Sequence, residues 1–250
     1  MIKNTQANLA KLNQELVAYV WPGYDLHFLH GWFAAYLSAP SDSEDDLLIP
    51  SYLILDEDKI KDEQAFAKLV DKLVLVYTDL ADSIYENNKL IRPLIDFAKP
   101  NSFDPLLFSL EHKRNLLTWL YGYLTGYLAI GGDVTEYATD EALLEDKFYP
   151  ALFTLCIALF SLAREVKCEN QAANVSVDFA ELEQDLLAMW ESEDGEDITA
   201  AIEDAIKELD LADIIGALND LFYVLRVTDE KRFAEKEPAT TLLHKLTTKH

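Results

Sequence analysis

The chain has 250 residues, with 45 Asp and Glu against 21 Lys and Arg and a formal net charge of −24. Such a surface repels phosphate backbones and anionic lipids, so direct binding to nucleic acid or to a membrane is not expected. Half of the residues are hydrophobic, enough for a sizeable core. Cys156 and Cys168, the only two cysteines, give neither a disulfide framework nor a CxxC motif.

In chain order, the apolar spacing predicts helices nearly throughout. The first runs from Asn4 to Val20, with Leu9, Leu12, Leu16, Val17 and Val20 on one stripe, and Trp21-Pro22-Gly23 stops it. Asp25 is placed to cap a second helix through LHFLHGWFAAYLSA, which ends at Pro40. An acidic loop follows, and then the short apolar turn SYLIL after Ile49-Pro50. A long amphipathic helix is expected from Asp62 to Glu86, a short helix over LIRPLIDF broken near Pro93, and a loop over KPNSFDP. Leu110–Ile130 is the next long helix, ended by Gly131-Gly132. After a short acidic helix before Asp146, an apolar helix spans Lys147 to Val166. Its longest apolar run, Phe148 to Ala163, is shorter than the about 20 residues of a membrane span, so a buried central helix is expected. Cys168–Ser176 reads as a polar connection. The helix VDFAELEQDLLAMW, the acidic turn SEDGED, and helices Ile198–Leu209 and Ala212–Val227 complete the fold. The expectation is an all-α multi-helix bundle of about eight to ten helices, one domain over residues 1–236, with a polar tail over 237–250. The polar N-terminus lacks the apolar stretch of a signal peptide, and with the cysteine usage this suggests a reducing cytoplasm.

LHGWFAAYLS (Leu29–Ser38) aligns without gaps on LYGYLTGYLA (Leu120–Ala129). In both, small residues four apart share one helix face: Gly31 with Ala35, and Gly122 with Gly126. Glycine inside a helix costs about 1 kcal/mol relative to alanine, and close approach of another helix would offset it. Gly31, Gly122 and Gly126 are therefore expected to be structural, at a crossing of these two helices.

Chemistry-bearing patterns are few. Asp25, His27 and His30 cluster at the start of the second helix, with the two histidines three apart on one face. They could begin a metal site, but no HExxH or further ligand lies nearby, and the simpler reading is a capped helix with one core and one surface histidine. SEDGED resembles a calcium loop only in acidity. GxSxG, P-loop and dinucleotide fingerprints are missing, so no catalytic residue, metal or cofactor is assigned. Trp32, Tyr36, Trp119 and Tyr123 concentrate on the two echoing helices, where core packing competes with an aromatic ligand pocket. Between Asp178 and Asp213 there are fourteen acidic residues and one basic residue, Lys207. Glu193, Asp194, Glu196 and Asp197 in its turn are candidate contacts to a basic partner.

Three of these motifs carry a family resemblance. LHGWFAAYLSAP with its acidic loop and Ile49-Pro50, Trp119-Leu120-Tyr121-Gly122-Tyr123-Leu124-Thr125-Gly126, and the closing pair ITAAIEDAIKELDLADIIGALNDLFYVLRV resemble the signatures of the YecA/YgfB-like bacterial proteins, in the same order. The likeness runs from Asp25 to Val227. It implies an all-helical fold and no established enzymatic activity. Longer members end in a Cys- and His-rich zinc-binding SEC-C motif, whereas this chain ends in EKEPATTLLHKLTTKH. Leu48 stands where the family has a tryptophan before Leu-Pro.

These readings converge on a non-enzymatic protein that binds a basic protein partner or regulator through its acidic C-terminal face. The alternative is a small-molecule-binding protein or metal-dependent hydrolase with an aromatic pocket near Trp32 and Trp119. A homodimer is a third option.

Overall fold

The computed structural model describes residues 6–38, 49–86, 90–97, 109–130, 141–169 and 209–226. Those residues form an all-α protein with no strand among them. In our numbering, α1 is Gln6–Val17, α2 Leu26–Ser38, α3 Ser51–Ile54, α4 Glu63–Ala81, α5 Leu110–Ile130 and α6 Tyr149–Glu169. The helix over residues 211–226 is α7.

Several bounds follow from local chemistry. Asp62 caps α4, its carboxylate accepting from Gln64 N and Ala65 N, each at 3.0 Å. Helix α4 then buries Leu69, Leu73 and Val76, one face at helical spacing. It ends in a π-helical turn, Asp82–Glu86. From there Tyr85 Oη donates to Leu37 O at 2.5 Å, satisfying a carbonyl that the end of α2 leaves open. A second π-helical turn, Leu144–Phe148, leads into α6.

Four expectations change. Helix α1 stops at Val17, which is 48% exposed, and Val20 instead makes an isolated antiparallel bridge with Leu55. Lys59 locks that junction by donating to Val20 O at 2.8 Å while pairing with Asp56. Helix α6 continues through Cys168 to Glu169, into the expected polar connection. Leu209 lies outside any helix. Finally, LIRPLIDF is not helical. Residues 90–96 have no regular secondary structure, with a turn at 97. Pro93 removes a donor and biases Arg92 toward extended backbone. The side chain of Asn219 on α7 then replaces helical partners, accepting from Ile91 N at 2.9 Å and donating to Ile91 O at 3.2 Å. Asn115 on α5 donates to Ile95 O at 2.8 Å. Ile91, Leu94 and Ile95 are buried along this strap.

The core is one contiguous apolar cluster drawing on α1, α2, α4, the strap, α5, α6 and α7. Ion pairs tie its rim: Lys72 with Glu15 between α1 and α4, Lys113 with Glu165 between α5 and α6, and Lys147 with Asp220 at α7. Such partly exposed pairs contribute about 0–1 kcal/mol each, so apolar burial decides stability.

At the centre α2 and α5 cross in parallel, through their small residues. A Cβ on Gly31 would lie 2.1 Å from Trp119 O, and one on Gly122 would lie 2.1 Å from Phe28 O. Each glycine thus faces the carbonyl three residues ahead of the other, which is a local pseudo-twofold. A Cβ on Gly126 would sit 2.9 Å from Ala35 Cβ. Backbones this close permit Cα–H contacts to carbonyl oxygen. Trp32, Phe33, Trp119 and Tyr123 wrap the crossing and are fully buried.

Candidate functional site

The polar groups that the fold brings together lie at the N-terminal end of the α2/α5 pair. Asp25 Oδ1 caps α2, accepting from His27 N at 2.8 Å and Phe28 N at 3.1 Å. Its Oδ2 stands 3.3 Å from His27 Nδ1. A carboxylate only accepts, so the neutral ring keeps its proton on Nδ1 and turns a bare lone pair outward at Nε2. That Nε2 is buried and has no hydrogen-bond partner. Phe97, at the end of the strap, stacks on the His27 ring with centroids 4.2 Å apart.

His30 is set differently. Its Nδ1 accepts from Trp119 Nε1 at 2.9 Å, which requires that nitrogen to be unprotonated. Burial, and after it the neighbouring His27, push His30 down to about 3, against a backbone hydrogen bond that raises it. Burial also lowers His27, overriding the opposing pull of Asp25 and Glu111. Both imidazoles are therefore neutral at pH 7. The expected pairing of one core and one surface histidine changes: His27 is buried and His30 half-buried. Among the described residues, no group of three or more His, Cys, Asp or Glu is placed to hold a metal ion.

Trp32, Trp119 and Tyr123 are each 0% exposed, and Tyr36 is half-buried against Tyr77. Trp119 stacks on Tyr123 at 5.5 Å. Burial pushes the ionisation of the Tyr123 hydroxyl upward, against an opposing pull from Ser38. With backbone against backbone at Gly31 and Gly122, the crossing itself has no space for a ligand. Cys156 is buried and its thiol is pushed up to about 11, the state of an inert core residue. Glu193, Asp194, Glu196 and Asp197 lie outside the described residues.

Elsewhere, a groove of about 270 Å³ runs between α1 and α4, with Leu9, Leu12, Leu75 and Val76 in its floor and Lys11, Glu15 and Lys72 at its rim. One described helical stretch, Glu141–Val166, is long and apolar enough to cross a membrane by length and composition. However, 56% of its apolar window is buried inside the protein, as in a core helix. Sequence reasoning missed Phe97, Glu111, Asn115 and Asn219 as parts of the histidine site and its strap. Their partners lie far along the chain, and only the asparagines' capacity to both donate and accept could have hinted at them.

No family model matches the chain, and no curated protein or solved structure matches it either.

Proposed function

We propose that this protein works by contact, binding a basic protein partner through its acidic C-terminal region, rather than by catalysing a reaction. The observation that carries this reading is the charge distribution: fourteen acidic residues against one basic residue between Asp178 and Asp213, more than half of a net charge of −24. Attraction of this kind raises association rate and weakens as salt screens it. The all-α fold, with its central aromatics enclosed in the core, supports the same reading. The YecA/YgfB-like resemblance belongs to this proposal; in its support, the LHG and W-x-x-G-x-L-x-G elements carry the glycines at the central crossing.

The test is affinity capture from the native host by the wild-type chain and by a variant with Glu193→Gln, Asp194→Asn, Glu196→Gln and Asp197→Asn, at about 0.05 M and about 0.5 M salt. A basic partner held by the wild type at low salt, and lost both at high salt and by the variant, supports the proposal. Partners indifferent to salt and to the four substitutions overturn it.

A further inference from the structure

The strap over residues 90–97 is anchored twice by asparagines and apolar burial, at Ile91 and at Ile95. Its last described residue, Phe97, has a different seat, the face of the His27 imidazole. That seat offers no partner for a proton on the far side of the ring. His27 Nδ1 is occupied by Asp25, and Nε2 meets no acceptor. A proton added at Nε2 would create a buried cation with one N–H unpaired, which costs far more than the neutral lone pair does.

We propose that His27 is an acid-sensitive latch: protonation at Nε2 drives its ring out from beneath Phe97 and frees the end of the strap from the α2/α5 pair. The groups that bear on this ring are identifiable. Asp25 precedes it and holds Nδ1, His30 follows on the same helix, Glu111 acts from α5, and Asp96 adjoins Phe97 in the strap. Asp25 and Glu111 favour the imidazolium, as does cation–π attraction to Phe97. Burial opposes it and prevails. In the released state the ring regains water and an ordinary affinity for protons, so acid selects that state.

Hydrogen exchange of peptides spanning residues 90–97 tests the latch in the full chain, after correction for the intrinsic pH dependence of exchange. Between pH 7.5 and pH 5, the population of the released strap should rise by up to about 30-fold, for an open-state histidine of ordinary pKa near 6.5. His27→Phe keeps an aromatic ring under Phe97 and removes the titration, so its strap exchange should stay level; His30→Gln should keep the wild-type response. An equal acid-induced rise in His27→Phe overturns the proposal, and so does a level wild type. Should His27→Phe fail to fold, the wild-type chain decides alone. The NMR titration of the His27 ring must share its midpoint with the rise in strap exchange, and a ring that titrates while the strap stays protected refutes the latch.

Discussion

Single atoms decide the tolerance of the central crossing. At Gly122 a methyl group would penetrate the Phe28 carbonyl, and the obstacle is backbone, which cannot rotate aside. Gly122→Ala should therefore cost at least the 1–3 kcal/mol of an overpacked core, and Gly122→Leu should prevent folding. Gly126→Ala, whose nearest obstacle is the Ala35 methyl at 2.9 Å, with Trp32 atoms at 3.4 Å, should cost less. Gly216, on α7, has nothing within 4 Å of an added Cβ, so Gly216→Ala should stabilise by about 0.5–1 kcal/mol. Thermal melts check the series, at roughly 2–4 °C per kcal/mol for a chain of this size. His30 supplies a pH prediction at the same scale. Its folded pKa is depressed to about 3, so between pH 6.5 and 3 the unfolded chain holds the extra proton. Its contribution is complete above pH 6.5 and is lost as pH falls toward 3, with a slope of at most about 1.4 kcal/mol per pH unit. The stability advantage of wild type over His30→Gln, whose amide oxygen can still accept from Trp119, should shrink accordingly in denaturant titrations from pH 7 to pH 4. An advantage that holds constant would show that His30 does not titrate against folding.

The individual elements were legible to very different degrees. Leu110–Ile130 came out with the bounds at which it is described. Asp25 announced its helix as a cap, whereas Asp62 was legible only as the start of α4 and its capping bonds were not. The repeat of small residues foretold the α2/α5 crossing, since interior glycines need a close neighbour to offset their cost. The strap was misread because its apolar spacing fits a helix as well as a segment without regular structure, and the partner that settles the choice, Asn219, lies far along the chain. The histidine site was half legible: Asp25, His27 and His30 were visible as a cluster, while Phe97 and Glu111 reach it only through the tertiary fold. The importance of Asn219 gives an element-scale prediction. Asn219→Leu leaves Ile91 N–H and C=O without their partner and should destabilise by about 1–3 kcal/mol. Hydrogen exchange should locate the loss at residues 90–97 first. Asp62→Ala, removing two N-terminal bonds of α4, should cost about 1 kcal/mol.

For the molecule as a whole, charge and core act in opposition. A net charge of −24 on one compact chain repels itself. Added salt should therefore raise the melting temperature, most steeply below about 0.1 M, where the screening length exceeds about 10 Å. A melting temperature insensitive to salt would mean that the rim ion pairs offset the repulsion. The contiguous core holds the fold against that repulsion, and it was foreseeable from a composition half hydrophobic.

The reciprocal glycine crossing also has a consequence in time. Gly122 follows Gly31 by 91 residues, and at about 5–20 residues per second a ribosome takes roughly 5–18 s to deliver it. Through that interval Trp32 has emerged while the α5 face it packs against does not yet exist. A nascent chain in this condition is the sort that holding chaperones retain, and release from them should become productive only once translation has passed the second of the paired segments.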